Sequence, residues 1–315
     1  MRFARIRVCA TTANLGPGFD FLGLAVKLYN EVTVAWPIGE AGPPPCVEIT
    51  GEGATEIHDA NNLMLTAFRH GLEVLGHPFP RVRIRAHNAI PVTRGLGSSA
   101  AAVVAGLAAA SAVAGHEAPR RDWILEQALR IEPHPDNLAA AIHGGLTASV
   151  KTEHDGTRCF PMPLHAQLRL GFAVPDLRVS TDEARRALPA DYRREDAVYS
   201  AARAAILVSA LRDGAFEWLE EAVSDRLHTP FRAPLLHCWD DVRAAARASG
   251  ACGVFISGSG PTVGAFVRDD ARGVAQAMTR AFLQNGYDAR PLALDVEPHG
   301  VTCTITETPN EACNR

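Results

Sequence analysis

The sequence predicts a two-domain α+β protein, and three observations carry that prediction. Strand-like alternation and helix-like periodicity are mixed along all 315 residues, without the regular alternation of a barrel or a doubly wound sheet. A composition of 47% hydrophobic and 21% charged residues suits a folded chain with one large domain or two ordinary ones. A turn-rich stretch near the middle, EHDG followed by Pro161 and Pro163, separates two such mixtures. The division falls at an N-terminal domain of residues 1–158 and a C-terminal domain of residues 159–310.

Strands are expected over 3–9 and 27–36, where β-formers recur, with the glycine-containing connection TTANLGPGFDFLGLA between them. In Gly39–Cys46, three consecutive prolines remove ladder donors and fix φ, which predicts an exposed turn. Residues 61–75 set Leu63, Ala67, Leu72 and Leu75 near helical spacing behind an Asn able to cap. RVRIRAHNAIP alternates as a half-buried strand would. From Ser98 to Ala114 the chain reads as a small-residue helix packed closely on both sides, too short to span a bilayer. A helix over 120–130 turns Trp123, Ile124 and Ala128 or Leu129 to one side, and strands follow at 146–150 and 168–174.

The second half predicts helices at 196–213, 215–226 and 238–248, then the strand GVFIS, the loop GSGPT and the strand VGAFV. A helix over 271–285 precedes strands at 290–296 and 301–306, and TPNEACNR reads as a frayed tail.

Composition narrows the function classes. Lys and Arg number 31 against 35 Asp and Glu, a formal net charge of -4, which supplies no global field for nucleic acid or an anionic membrane. Aromatic residues are only 6%, so the basic, aromatic-interleaved face of a nucleic-acid binder is not expected. The seven cysteines have no CxxC spacing, which favours reduced thiols in a cytoplasmic protein over zinc or disulfides. The opening MRFARIRVCATTANLG alternates like a strand and lacks the long apolar segment of a secretory signal.

The most informative segment is Pro91–Ala101, PVTRGLGSSAA, between a strand and the small-residue helix. Gly95 and Gly97 allow a tight turn, Ser98 and Ser99 stand at the helix entrance, and the free amides at the positive end of the helix suit phosphate. It is neither a Walker loop nor GxGxxG. An ordinary glycine turn with serine caps is the plainer alternative. A second glycine loop at 257–262, SGSGPT, weighs against it, because two such loops suit a phosphate-bearing ligand between them.

With these residues in view, the chain resembles the GHMP kinases. PVTRGLGSSAA is similar to the family's phosphate loop, SGSGPT to its third motif and TTANLGPGFDFLGLA to its first, in the family's order. Within the family, IEPHPDNLAAAIHGG, STDEARRALP, YSAARAAILVSAL and DRLHTPFR resemble the homoserine kinase branch. The match departs at Thr93, where that branch usually carries glycine. The resemblance implies a ribosomal protein S5 domain 2-like first domain, a ferredoxin-like second domain and an active site between them. It also implies ATP as phosphoryl donor, Mg²⁺, L-homoserine as acceptor in threonine biosynthesis, and a homodimer.

Site residues follow from the same resemblance. Asn62, Pro91, Arg94, Gly95, Leu96, Gly97, Ser98, Ser99, Ala100 and Ala101 are expected at the nucleotide. Asn14, Asp20, His134, Asn137, Arg203, Arg232 and Gly260 are expected at homoserine, with Asp20 on the ammonium and the two arginines on the carboxylate. Ser98 and Glu126 are the expected metal ligands, with Glu132 the local competitor; Ser98, Glu126 and Asn137 are the expected catalytic set. Asp136 is either a base or a helix cap, and a loose phosphoryl-transfer transition state needs little help from a base. A GHMP kinase for another small alcohol, or a non-catalytic binding member of the fold, remains an alternative.

Overall fold

A computed structural model describes residues 1–37, 46–154 and 156–307 of the chain. The expected turn before Cys46 and the expected frayed tail at 308–315 lie outside the described residues. In chain order the elements are β1 (Arg2–Asn14), β2 (Gly18–Trp36), β3 (Cys46–Gly51), α1 (Leu63–Val74), β4 (Arg83–Asn88) and α2 (Ser98–Val113). Next come α3 (Arg121–Ala128), α4 (Pro135–His143), β5 (Leu146–Lys151), β6 (Thr157–Met162) and β7 (Arg169–Pro175). The second half holds α5 (Thr181–Arg186), α6 (Arg194–Asp213), α7 (Leu219–Ala222), α8 (Thr229–Arg232) and α9 (Trp239–Ala248). It closes with β8 (Gly253–Ile256), β9 (Val263–Val267), α10 (Ala271–Gln284), β10 (Ala289–Leu294) and β11 (Thr302–Glu307).

Two sheets organise these elements, as an α+β fold requires. The larger has seven strands in the order β11-β1-β2-β4-β3, with β5 on β2 and β6 on β5. The smaller runs β10-β7-β9-β8 and is antiparallel throughout. The division by sheets departs from the division by chain position. β6 continues the first sheet to Met162, and β11 returns to pair with β1, so the last strand of the chain belongs with the first.

The small-residue helix behaves as its composition demands, with nearly every residue from Ala100 to Val113 buried. Alanines and glycines let α1 approach α2 closely, and Met64, Leu65, Ala67, Phe68 and Leu72 of α1 enter the core. The expected apolar face of α1 holds in part: Ala67 and Leu72 are buried, but Leu63 is 39% exposed while Met64 and Phe68 are inside. One core runs from the first sheet through Leu170, Phe172, Phe255 and Phe266, while Ala173, Ile256, Val263 and Ala265 point into a second, under α9 and α10. Alternate residues of the small sheet thus serve opposite faces.

Three further expectations changed. The first connection is mostly strand, because β1 extends to Asn14 and β2 begins at Gly18, leaving a turn at 15–17. Pro161 lies within β6, which among the described residues pairs only with β5 and so tolerates a residue that cannot donate. The helix expected at 215–226 breaks into a 3₁₀ turn at Phe216–Trp218 and the single turn α7.

Candidate active site

The start of α2 opens on a cavity of about 280 Å³. Its apolar wall includes Val32, Ile49, Ile57, Met64 and Ala105, and its polar end holds Gly95, Gly97, Ser98, Ser99, Glu132 and Asn137. Within α2, Ala101 is the residue whose amide reaches back to Gly97. The amides of Ser98, Ser99 and Ala100 have no carbonyl behind them in the helix, as at any helix start, and carry its positive end. Asn62 caps α1, accepting from the Leu65 amide at 3.2 Å, while its Nδ2 is buried without a hydrogen-bond partner. Asn62 lines the same cavity, and its spare amide hydrogens are potential donors.

The three motifs meet behind this loop. The Thr11 amide donates to the Leu96 carbonyl at 3.1 Å, the Gly258 amide to Ala13 at 3.1 Å and the Ser257 hydroxyl to Gly95 at 2.6 Å. Both loop glycines are in the left-handed region, and the space around them is already taken. A Cβ on Gly95 would lie 2.2 Å from the Ser257 carbonyl oxygen, and one on Gly97 would lie 1.9 Å from Thr11 Oγ1. The glycines thus let the motifs touch as well as letting the loop turn. Thr93, where the loop departs from the usual glycine, also has a positive φ of 57, an outlying conformation for a β-branched residue.

A second cluster lies where the turn after β1 meets α5 and α8. Asp20, at φ 62, accepts from Arg185 at 2.7 and 3.2 Å, a two-pronged pair. Arg232 is buried, with Nε donating to the Ala184 carbonyl and Nη1 to Gly258. Asn14 donates to that same Gly258 carbonyl at 2.8 Å and holds the Asp20 amide through its Oδ1. Burial pulls the Arg232 guanidinium below its ordinary value, and Arg185 beside it acts in the same direction. His134 is likewise held below the usual histidine range by burial first and Arg185 second, so its ring is neutral near pH 7. The cluster is therefore one carboxylate with two guanidiniums and a neutral imidazole.

Between the two ends stands Asn137. Its Oδ1 accepts from the Thr11 hydroxyl at 2.8 Å, and its Nδ2 donates to Asp136 at 3.2 Å, which fixes the amide plane. Asp136 lies inside the first turn of α4, and the N-cap position is His134. Burial pushes the Asp136 carboxyl up to about 7, and its hydrogen bonds are spent on Asn137.

Most of the expected residues come together. Asn62, Gly95, Gly97, Ser98, Ser99, Ala100, Ala101 and Asn137 line the cavity, and Asn14, Asp20, His134 and Arg232 form or face the second cluster. Arg94 also lines the cavity, but its guanidinium is tied to Asp176 at 2.7 Å. Pro91 faces an adjoining cleft, Leu96 is wholly buried, and Gly260 closes the turn of the third motif on Ser257.

Two more stand apart from both groups. Glu126 is 62% exposed and paired with Arg130 one helical turn away, so it lies off the cavity lining. Glu132, by contrast, lines the cavity, accepts from the Ser99 hydroxyl at 2.7 Å, and has its carboxyl raised by burial. Arg203 stacks on Tyr199 and pairs with Glu221, while Arg185 holds the position beside Asp20. Arg185 stands in the STDEARRALP string, but choosing it over Arg186 requires the facing of α5, which spacing alone does not supply.

Comparison with known proteins bears on the family and the fold. Residues 62–145 match the model of the GHMP kinases N terminal domain and residues 207–284 that of the GHMP kinases C terminal. A homoserine kinase of Gloeobacter violaceus is 44% identical over 278 residues, 87% of this chain and 91% of that protein. A homoserine kinase of Moorella thermoacetica is 40% identical, covering 94% of this chain and 98% of that protein. The crystal structure of homoserine kinase from Cytophaga hutchinsonii superposes with a TM-score of 0.83 at 27% identity, covering 96% of this chain and 97% of that one.

Proposed function

The chain belongs to the GHMP kinase family, and from that premise we propose that it transfers the γ-phosphoryl group of ATP to the side-chain hydroxyl of L-homoserine. The product is O-phospho-L-homoserine, on the way to threonine. The single observation that carries the acceptor is the grouping of Asp20 with Arg185 and Arg232, one carboxylate and two guanidiniums beside Asn137. An amino-acid zwitterion asks for both signs at once, and neither a sugar nor mevalonate does.

In this reading Asp20 takes the ammonium, Arg185 and Arg232 the carboxylate, and Asn137, steadied by Thr11 and Asp136, orients the hydroxyl toward the loop. The residues fit a nucleotide with its metal. The α2 amides and Ser98 suit phosphate oxygens, the unpartnered Asn62 Nδ2 suits a base acceptor, and Glu132 with Ser98 offers hard oxygens to Mg²⁺. Bound Mg²⁺ supplies neutralisation of the phosphate charge. Alignment by the chain's own groups does most of the remainder, because a loose transition state asks little of a base. With both hydrogen bonds turned to Asn137, Asp136 serves as its anchor.

The same reading makes the first half S5-like, with residues 1–158 as its main body. The second half is ferredoxin-like, a description supported by its strand order and the helix between β9 and β10. It also carries a homodimer, for which exposed Val198 and Ile206 of α6 leave apolar surface, and a cytoplasmic setting for the free cysteines. The deciding experiment is turnover with Mg·ATP and, in parallel, homoserine, mevalonate and galactose. Homoserine is expected to be the acceptor; transfer to mevalonate or galactose alone would overturn the reading.

A further inference from the structure

We propose that His228 is a positioning residue for the amino-acid grip, setting the distance between the Asp20 turn and the two arginines without touching the substrate. The inference rests on the reading of Asp20, Arg185 and Arg232 as the homoserine site. His228 is fully buried at the N-cap position of α8, three residues after Asp225. Its Nε2 lies 2.8 Å from the Gly16 carbonyl oxygen, which can only accept, so Nε2 carries the proton. Nδ1 is buried with no hydrogen-bond partner, as suits the neutral ring with its proton on the other nitrogen. The Asp225 carboxylate lies farther from Nε2, at 3.6 Å, and accepts from the amides of Leu227, His228 and Thr229 at 2.7, 2.9 and 2.6 Å. It holds the backbone that presents the ring.

The other side of the ring reaches the grip. His228 stacks on Phe19, with centroids 5.2 Å apart and planes at 23°. The Phe19 ring in turn carries the guanidinium of Arg232 at 5.1 Å and that of Arg185 at 5.8 Å. The turn that His228 clasps is under strain. Leu15 within it, and Asn14 and Asp20 in the flanking strand ends, all have positive φ, and Gly16 stands so close to the residue after α7 that a Cβ would lie 2.2 Å from the Val223 carbonyl oxygen. A strained turn keeps its shape only when its surroundings over-determine it. His228 is the side chain that joins this turn, through Gly16, to the helix carrying Arg232 and, through Phe19, to both arginines.

The test compares His228→Leu, which keeps bulk and loses the donor, with His228→Gln, whose amide can still donate to the Gly16 carbonyl. Leaving that carbonyl unpaired should raise the KM for homoserine roughly five- to a hundredfold. Calorimetric binding of Mg·ATP without homoserine should stay at the parent value, and His228→Gln should recover most of the loss. In a cycle with Arg232→Leu the two losses should be markedly less than additive, because one acts through the other. If Mg·ATP and homoserine suffer equally, if Gln is no better than Leu, or if the cycle is additive, the proposal is overturned. Should His228→Leu not fold, Phe19→Leu takes its place: a raised homoserine KM with unchanged Mg·ATP binding supports the link, and an unchanged KM overturns it. A parent enzyme that does not phosphorylate homoserine overturns the substrate reading and this inference with it. A parent that does, with the two His228 variants alike, overturns this inference alone.

Discussion

At the α2 end of the cavity the ligand-facing groups are largely main chain and come from one short segment. At the Asp20 cluster, outside that cavity's lining, they are side chains from separate segments, and the central pair, Asp20 with Arg185, is 165 residues apart in the chain. The two ends therefore fail in different ways. A main-chain cradle depends on conformation, so it is sensitive to any added atom at a glycine and indifferent to which neighbouring side chains carry charge. A side-chain grip depends on charge and placement, so one truncation removes a defined contact while the backbone stays.

The largest expected effect tests the first half of that contrast. Gly97→Val puts side-chain atoms where Thr11 Oγ1 already lies, 1.9 Å from the first of them, and must displace either the loop or the first motif. Mg·ATP affinity should fall about a hundredfold or more, roughly 3 kcal/mol, with the far-ultraviolet dichroism of the parent retained. Parent-like affinity in a folded variant would remove the loop from the phosphate site.

A comparison of two glutamates sharpens the boundary between the ends. Glu132→Gln should lower turnover by roughly ten- to a hundredfold and raise the Mg²⁺ concentration needed for half activity. Glu126→Gln, on an exposed i,i+4 pair, should leave both within about twofold, since such pairs contribute little. A reversed ranking in a magnesium titration would restore Glu126 as the ligand.

Two arginines make the same comparison at the grip. Arg185→Leu should cost about 1.5–3 kcal/mol of transition-state binding, seen as a roughly ten- to hundredfold fall in kcat/KM for homoserine with Mg·ATP binding retained. Arg203→Leu removes a pair with a mostly exposed Glu221, and its expected cost is about 0–1 kcal/mol of stability with little change in homoserine kinetics. Equal kinetic losses would mean that the carboxylate contact extends to α6.

The smallest effect concerns strain. Thr93→Gly relieves a β-branched residue at φ 57 but adds freedom to the unfolded chain, for an expected net gain of about 0.5–1 kcal/mol in urea unfolding. A loss of stability would show that Thr93 contacts outweigh its backbone strain.

Particular residues mark how far sequence reasoning reached. α2 was legible to within a residue, because its start is set by Gly97 and Ser98 and its burial by an unbroken run of small residues. The cap at Asn62 was legible for the same local reason. The phase of α1 was legible only in part, since Leu63 and Met64 both suit a helical stripe and packing against α2 selects between them. β6 was hidden by its proline, harmless at an edge that only pairing reveals. The family resemblance favoured Glu126 over its local competitor Glu132; the end of α3 turns Glu126 to solvent and the following turn brings Glu132 to Ser99.

By itself, then, the sequence determined the class of fold, most elements and the glycine turn that opens α2, because those rest on propensity, glycine and the free amides at a helix start, all of which act within a few residues. The tertiary structure alone decided which arginine faces Asp20, which glutamate stands by the loop, and that β11 closes on β1. Each of these joins residues far apart in the chain. Their distance depends on how helices and sheets pack, and packing is settled by burial of the whole apolar surface, not by the spacing of any one motif.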